Sequence, residues 1–504
     1  MMPKESIGDH IVILGGGTAG WMAANLFAHE FGDTSNITLI ESSSIGTVGV
    51  GEGSTPYFVE LFRKLNIPES EWMPACNATY KCGISFYNWC EEPEYIHYSH
   101  PFFSQHDSSI GQHFLRNCHL RRAGIAADVN ARDFFLSSEL ARTGKAPHTK
   151  TPSNLNHDYS YHFDAGLLGN FLKEKAIGKG VKHIVDTVSE VTRKECGDIE
   201  ALITSTHGAI AGDLFIDCSG FSGLLINKVL NVPFLPFDDC LFNDSAIAIP
   251  TPIEANKLPS ETTATALSNG WAWKIPLTSR NGNGYVYSSA FTSADQAEQE
   301  LRNHLGASSK DAPARHLKMR IGRVEAPWNH NCIAIGLAQG FVEPLEATAI
   351  SFTLFSLNLF IDKLQKSGLS IETQKAYNED INRSFDGVRD YIALHYKLNT
   401  RSDSDYWKAN RESSNTSDTL NSILAAWDDS NSNFDYILQQ LTNNLIFPRT
   451  SWYCLLAGKG RFNHKSTLSN QITLKADQAR LICQKLAEQF HDQREYLSQL
   501  SQEK

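Results

Sequence analysis

Three glycines near the start of the chain have the spacing that binds a dinucleotide. Gly15, Gly17 and Gly20 form a GxGxxG pattern after an apolar run. The first glycine permits a tight turn, the second lets the backbone approach a pyrophosphate, and the third allows close helix–strand packing. Free N–H groups at the helix start attract the pyrophosphate. Glu41, 21 residues after Gly20, can accept hydrogen bonds from a ribose diol. The pattern itself leaves FAD and NAD both open.

The segments around these glycines predict a βαβ unit. His10–Leu14 is expected to form a buried strand, residues 21–29 a helix and residues 37–40 a second strand. Further strands are expected at 182–191, 199–206, 213–217 and 332–335. Beyond about residue 350, apolar residues recur three and four apart, which predicts helices joined by a polar surface connection at 399–418.

This order of elements predicts an α/β fold. We expect a Rossmann-type, FAD-binding body of the flavin monooxygenase kind over residues 8–350 and a mostly helical, substrate-side subdomain over 351–504. Residues 92–155 are interpreted as an insertion into the body that contributes to the substrate pocket. FAD is favoured because apolar strands within 213–223 and 332–340 return to the ligand far downstream, and because no second GxGxxG unit for a nicotinamide cofactor is found.

Composition excludes several classes of protein. The 504 residues carry 45 Lys and Arg against 56 Asp and Glu, a net charge of −11, so a nucleic-acid or anionic-membrane partner is not expected. No apolar run is long enough to span a bilayer, and no secretory signal is seen, which predicts a cytoplasmic protein. The ten cysteines include no CxxC pair, so reduced core thiols are expected and no metal site.

The chain carries the segments GGGTAGW at 15–21 and GWAWKIP at 270–276. The first matches the start, and the second resembles the signature GWxWxIP, of the flavin-dependent halogenases, in the tryptophan halogenase family and its indole-accepting members. This resemblance extends along nearly the whole chain. Six further segments match in order and at similar spacing: 49–56, 71–89, 161–172, 213–227, 341–350 and 452–458.

The resemblance implies a two-component reaction on a small aromatic substrate. A separate NAD(P)H-dependent reductase supplies FADH2 by diffusion, oxygen gives a flavin C4a-hydroperoxide, and chloride or bromide attacks it to form hypohalous acid. That acid travels through a tunnel to the substrate. The resemblance maps the essential lysine onto Lys81 and the essential glutamate onto Glu346, and a homodimer stays open. The cofactor is expected on Gly15, Gly16, Gly17, Thr18, Ala19, Gly20, Glu41, Val188, Gly336, Leu337 and Ile350.

The chemistry of the two mapped residues agrees with these roles. A desolvated Lys81 would have a lowered pKa and could carry the halogen as a haloamine. Glu346 could stabilise the cationic ring and accept its proton. The alternatives are a lysine that reaches water from the edge of the core and a glutamate in a structural ion pair. Glu343, three residues earlier, is a rival carboxylate to which the resemblance gives no role.

The halide is expected at the start of the helix that follows Glu346. Backbone N–H groups at Thr348 and Ala349 would bind it, because a helix start favours anions. The chain departs from the family wording EPLESTGI at two positions, with Ala347 for serine and Ala349 for glycine. Both changes keep the backbone donors, so halide binding is still expected.

Aromatic residues are expected to line the path to the substrate. Trp271 and Trp273 lie two apart on one strand and therefore share a face, where they would form the tunnel wall or simply pack the sheet core. The substrate pocket is assigned by resemblance to His100, Phe102, Phe103, Trp452 and Tyr453. Residues 443–451 lack the polar pattern that holds an amino-acid substrate, so an indole or other electron-rich ring is expected rather than free tryptophan. The competing hypotheses are a single-component FAD monooxygenase that hydroxylates an aromatic ring and an inactive flavin-binding sensor.

Overall fold

The structure, a computed structural model, describes residues 8–44, 46, 51–254, 258–442, 446–463, 467 and 473–502. Its strands are β1 His10–Leu14, β2 Asn36–Glu41, β3 Gly51–Gly53, β4 Thr79–Lys81, β5 Gly83–Tyr87, β6 His97–Pro101, β7 Lys145–Thr149, β8 Ser160–Asp164, β9 Lys182–Val185, β10 Val188–Arg193, β11 Ile199–Thr204, β12 Gly208–Ala211, β13 Leu214–Asp217, β14 Phe234–Pro236, β15 Ser245–Thr251, β16 Glu261–Leu267, β17 Gly270–Pro276, β18 Asn281–Tyr287, β19 Arg315–Lys318, β20 Gly322–Val324, β21 Trp328–Asn329, β22 Cys332–Ala334, β23 Gly340–Phe341 and β24 Phe490–Asp492.

Its helices are α1 Thr18–Phe31, α2 Val59–Leu65, α3 Glu69–Ala75, α4 Ser108–Arg122, α5 Ala131–Phe134, α6 Leu136–Thr143, α7 Ala165–Gly178, α8 Ala294–Leu305, α9 Ala349–Ser367, α10 Ile371–Lys397, α11 Asp405–Glu412, α12 Asp418–Asp428, α13 Phe434–Thr442, α14 Arg449–Gly458, α15 Ala476–Ala487 and α16 Gln493–Leu500. A 3₁₀ turn, Pro344–Glu346, precedes α9. Among the described residues, no helix has the length and apolar character that a membrane crossing needs.

A six-stranded sheet carries the dinucleotide motif. Its order is β21–β22–β13–β1–β2–β9, and every pairing is parallel except that of β21 with β22. Leu14 at the end of β1 lies opposite Ile40 of β2 and Asp217 of β13. Apolar residues fill the strands because helices cover a parallel sheet on both faces. The predicted βαβ unit is confirmed, with α1 starting at Thr18, before the alanine-rich run.

A seven-stranded sheet carries most of the remaining motifs. Its order is β19–β15–β18–β17–β16–β5–β6, and β16 with β5 is its parallel pair. The GWAWKIP segment forms β17 near the middle of this sheet, and β6 forms one edge. A third sheet, β3–β8–β4, holds Lys81 at the end of β4.

Two segments are more regular than the sequence suggested. Residues 399–418 contain α11, where Tyr406 and Trp407 are fully buried. The surrounding polar residues obscured its short apolar face. Residues 92–155 contain β6, α4, α5, α6 and β7, and β6 pairs with β5 of the seven-stranded sheet. These elements are too short for a clear period.

The helices after residue 350 share the main hydrophobic core with the body. That core includes Trp271 from β17, Leu354 from α9 and Tyr391 from α10. Helix α9 lies against α1, with the rings of Phe27 and Phe360 6.2 Å apart. Helix α9 therefore connects the dinucleotide-binding sheet to the helical part of the chain.

Candidate active site

The glycine turn between β1 and α1 has the geometry that the motif requires. Gly15 has φ +116° and its N–H donates to the Ile40 carbonyl at 2.8 Å. A Cβ at Gly15 would lie 2.2 Å from the Cys218 carbonyl oxygen, and one at Gly20 would lie 1.9 Å from the Gly15 carbonyl oxygen. At Gly17, by contrast, no described atom would lie within 4 Å of a Cβ. The turn therefore leaves space where a pyrophosphate would approach the start of α1.

Glu41 at the end of β2 faces this turn. Its Oε1 accepts hydrogen bonds from Lys173 Nζ at 2.9 Å and His183 Nε2 at 2.8 Å. A Cβ at Gly16 would lie only 1.6 Å from Glu41 Oε2. Hydrogen bonds to Oε1 thus hold the carboxylate in place, and Oε2 lies beside the glycine turn. In this position Oε2 could accept a hydrogen bond from a ribose hydroxyl.

A cavity of about 450 Å³ extends from the glycine turn to the start of α9. We call it the dinucleotide cavity. It brings together the expected cofactor, tunnel and halide residues Gly15, Gly16, Gly17, Thr18, Ala19, Glu41, Val188, Trp271, Trp273, Gly336, Leu337, Thr348, Ala349 and Ile350. Gly20 contributes through the close packing of α1. The cradle of small residues at the glycine turn, with Glu41 beside it, fits an FAD molecule.

Lys81 is completely buried at the end of β4. Its Nζ donates to the Ser54 carbonyl oxygen at 3.0 Å and lies 5.5 Å from the ring centroid of Phe102. Burial lowers the pKa of Lys81 to about 7, although the charge of Glu346 acts in the opposite direction. The alternative of a lysine that reaches water therefore does not hold.

Glu346, at the end of the 3₁₀ turn, has an imidazole on each carboxylate oxygen. His100 Nδ1 lies 2.8 Å from Oε2, and His395 Nε2 lies 3.0 Å from Oε1. Burial raises the pKa of the Glu346 carboxyl, but the two imidazoles outweigh it and lower the pKa to about 2. The group is therefore a buried anion that acts electrostatically on Lys81.

The expected substrate residues divide into two groups. Phe102 lies beside Lys81, and His100 binds Glu346 and Ser451 Oγ, the latter at 2.8 Å. Trp452 lies 5.1 Å from Tyr391, ring centroid to ring centroid. Of these residues, His100 contacts Glu346 directly, and Phe102 lies on the side of Lys81.

The other two residues point elsewhere. The Phe103 ring lies edge-on to Phe135 at 5.7 Å. The Tyr453 hydroxyl donates to Asp435 Oδ1 at 2.7 Å and lies 3.0 Å from His119 Nε2. Trp452 and Tyr453 are adjacent in α14, so their side chains leave the helix in different directions.

Glu343, the rival carboxylate, binds the Trp271 side chain and not the residues assigned to the substrate pocket. Trp271 Nε1 donates to Glu343 Oε2 at 2.9 Å, and the same oxygen accepts from Asn243 Nδ2 at 2.8 Å and from the Tyr396 hydroxyl at 2.5 Å. The rings of Trp271 and Trp273 lie 6.2 Å apart, and both line the dinucleotide cavity.

The start of α9 closes the other end of the cavity. Ala347 has φ +56°, which turns the chain sharply between Glu346 and the helix. Thr348 and Ala349 follow, and the N–H groups of a first helical turn have no partner within the helix. Ser351 Oγ accepts from the Thr55 N–H at 3.1 Å, so the first turn of α9 is tied to the segment that also binds Lys81.

Two residues of this site were not predicted. His395 lies in the middle of α10, where its apolar neighbours give no motif. Ser54 lies in the matched segment 49–56, but its carbonyl can be assigned to Lys81 only from the structure.

The fold and this site define a class: a dinucleotide-binding oxidoreductase of the flavoprotein type, with a buried lysine and a buried carboxylate beside its cofactor cavity. Comparisons with known proteins agree. A sequence model described as tryptophan halogenase matches residues 10–472. The chain belongs to the tryptophan halogenase family and is a flavin-dependent halogenase, a class of enzymes that use a separate flavin reductase and an aromatic substrate.

Relatives cover most of the chain. A tryptophan 6-halogenase of Streptomyces toxytricini is 40% identical over 425 residues, which are 79% of this chain and 80% of the relative. Its crystal structure matches with a TM-score of 0.86 over 97% of this chain and 99% of the other. A tryptophan 7-halogenase of Lentzea aerocolonigenes is 35% identical over 90% of this chain and 89% of its own length. A flavin-dependent halogenase from Xanthomonas campestris matches with a TM-score of 0.85, 32% identity and 98% coverage of both chains.

Proposed function

We propose that this chain chlorinates or brominates an electron-rich aromatic ring such as an indole, with Lys81 and Glu346 as its catalytic residues. The observation that carries the proposal is a fully buried lysine with a pKa near 7 in the field of a buried carboxylate. When reduced FAD is bound, it would react with oxygen and so supply the oxidant that converts a halide into hypohalous acid.

The residues of the dinucleotide cavity hold and separate the reactants. The glycine turn and Glu41 would bind FAD, and the N–H groups of Thr348 and Ala349 would bind the halide. Trp271 and Trp273 would keep the organic substrate out of the cavity, which prevents direct oxygenation of the ring.

Lys81 would carry the halogen to the substrate. Its neutral amine displaces hydroxide from hypohalous acid, so that an N–H bond is replaced by an N–halogen bond and water is released. The N–halogen bond then breaks as the ring carbon takes the halogen, its electron pair stays on nitrogen, and the nitrogen takes a proton from water; the proton that the ring afterwards gives to Glu346 returns to water. A lysine that is neutral near pH 7 can react in this way, whereas an ammonium ion has no lone pair to offer.

Glu346 would complete the substitution. The cationic ring loses its C–H proton to a carboxylate oxygen, and the C–H bonding electrons restore the aromatic system. A carboxylate that stays ionised also stabilises the cation before the proton leaves.

The substrate is proposed to be a neutral indole-like ring rather than free tryptophan. Phe447 stacks on Tyr391 with ring centroids 3.7 Å apart, and Trp452 lies edge-on to Tyr391. Arg449, the charged residue of this segment, pairs with Asp435 at 2.9 Å. That pairing makes Arg449 a poor partner for a substrate carboxylate. Residues 443–445 lie outside the described residues.

The remaining assignments are also proposals. Reduced FAD is expected to reach the chain by diffusion from an NAD(P)H-dependent reductase, and a homodimer would be compatible with the site. We propose residues 8–350 as the flavin-side part, with 92–155 contributing to the substrate pocket, and 351–504 as the substrate-side part.

The test is incubation with a flavin reductase, NADH, FAD, oxygen, bromide or chloride, and either indole or tryptophan. We expect a monohalogenated indole, identified by its isotope pattern in mass spectrometry, and less product from tryptophan. A hydroxylated product, or product formed without halide, would support the monooxygenase alternative instead. Preferential halogenation of tryptophan would overturn the substrate assignment alone.

A further inference from the structure

Glu346 is held by two histidines from separate elements. His100 comes from β6 and His395 from α10, and each approaches a different carboxylate oxygen. A carboxylate at this position can only accept hydrogen bonds, so both ring nitrogens that face it must carry hydrogen. The carboxylate cannot rotate without breaking one of these bonds.

A tyrosine fixes the hydrogen on His395. The Tyr98 hydroxyl lies 2.8 Å from His395 Nδ1, the nitrogen opposite Glu346. Burial raises the pKa of Tyr98 well above its ordinary value, so the phenol keeps its proton and donates it. His395 Nδ1 is therefore the acceptor, and Nε2–H donates to Glu346.

The surroundings keep His395 neutral. Its side chain is buried against the rings of Phe86, Tyr391 and Trp89 at 4.9, 5.5 and 6.0 Å. Burial lowers the pKa of His395 to about 4, and the positive charge of Lys459 acts in the same direction against the opposing effect of Glu346. A neutral imidazole can donate to Glu346 without a full positive charge near the cationic ring.

We propose that His395, oriented by Tyr98, is a positioning residue that holds the Glu346 carboxylate where it takes the proton from the halogenated ring. This inference rests on the proposed function and adds to it a chain of three groups: phenol, imidazole and carboxylate. In the step that it serves, the ring C–H bond breaks, its electrons return to the ring, and the proton forms an O–H bond on Glu346. His395 itself neither gains nor loses a proton.

The kinetic test uses His395→Phe and Tyr98→Phe in the full-length enzyme. The bromination of indole is compared with that of indole deuterated at the halogenated carbon. In wild type we expect almost no isotope effect, because proton loss is fast. His395→Phe should lower kcat by about 10- to 100-fold and reveal a primary isotope effect. His395→Gln, which can still donate, should recover part of kcat, and Tyr98→Phe should show a smaller change of the same kind.

Tyr377→Phe is the matched control. Tyr377 is also fully buried and lies on α10, but it is 18 residues before His395 in that helix. Its hydroxyl binds Gln339 and Ser356. We expect this variant to keep kcat and to show no isotope effect. Wild-type kcat in His395→Phe, or a loss of kcat without any isotope effect, would overturn the positioning role.

A second measurement does not depend on turnover. Nitrogen-15 NMR of labelled histidine, with His395→Phe for assignment, should show His395 as the neutral Nε2–H form from pH 5.5 to 8. Tyr98→Phe should let the Nδ1–H form appear. Titration of His395 near its ordinary pKa, or a resting Nδ1–H form, would overturn the inference even if wild type halogenates. Absence of halogenation by wild type would instead contradict the proposed function.

Discussion

Two glutamates three residues apart have opposite surroundings. Glu343 gathers three neutral donors on Oε2, while its buried Oε1 has no partner among the described residues. Glu346 has one imidazole on each oxygen. Burial raises the pKa of Glu343, whereas the imidazoles lower the pKa of Glu346 to about 2.

The difference shows that the protein environment, not the residue type, determines the pKa of each carboxyl group. Both side chains are buried and leave the same short turn. Glu343 accepts a hydrogen bond from Trp271, whereas Glu346 is a buried anion whose charge acts on Lys81, which supports its proposed role. Pairs of like groups with divergent pKa values commonly mark separate roles in an active site.

The largest expected effect is on kcat, and it should appear when glutamine replaces Glu346 but not when it replaces Glu343. Glu346→Gln removes the anion and the proton acceptor, so kcat for bromination should fall by about 10²- to 10⁴-fold. Glu343→Gln keeps a carbonyl oxygen for Trp271 and should keep kcat within about tenfold of wild type. The kcat of each variant is measured from the rate of product formation by chromatography. Equal losses in the two variants would remove the distinction between the glutamates.

The pH dependence should report Lys81. Because burial lowers the pKa of Lys81 to about 7, the reactive neutral amine dominates above pH 7 and the ammonium form below it. Bromination should therefore rise by about tenfold between pH 6 and pH 8. Glu343→Gln should leave the midpoint of the pH profile unchanged, because Glu343 binds Trp271 and is not among the groups that shift the pKa of Lys81. A profile that is flat in this range, with reductase kept in excess, would contradict the assignment of Lys81.

Stability should respond to the donors of Glu343. Tyr396→Phe removes the hydroxyl that binds Glu343 Oε2 and Asn243 Nδ2, and it leaves buried polar groups with fewer partners. The free energy of unfolding, measured in urea, should fall by about 1–3 kcal/mol. Tyr436→Phe, at an exposed tyrosine, is the control and should change it by less than about 0.5 kcal/mol. An unchanged stability in Tyr396→Phe would mean that the acceptor role of Glu343 is unimportant.

The smallest effect concerns the turn that joins the two glutamates to α9. Ala347 has a left-handed φ of +56°, which glycine adopts at lower cost. Ala347→Gly also loosens the unfolded chain, so the net gain in the free energy of unfolding should be only about 0.5 kcal/mol. Thermal unfolding can detect the shift. A clear destabilisation would show that the Ala347 methyl group contributes packing that exceeds the backbone cost.

Local patterns predicted the βαβ unit around the glycine turn, and the cofactor residues assigned to it stay a prediction. The glycine spacing, the strand before it and Glu41 after it lie within one βαβ unit, where the backbone itself fixes the geometry. The same holds for Trp271 and Trp273, because a strand places residues two apart on one face. Predictions were weaker for short elements such as β6 and α11, whose apolar faces are hidden among polar neighbours.

The sequence by itself determined the α/β order, the glycine turn and, through family motifs, the positions of the expected catalytic lysine and glutamate. Only the tertiary structure decided the pKa values of those two residues. The neutral tendency of Lys81 comes from burial, and the charge of Glu346 comes from His100 and His395, which are 246 and 49 residues away along the chain. A pKa depends on desolvation and on neighbours in space, and no local pattern encodes either.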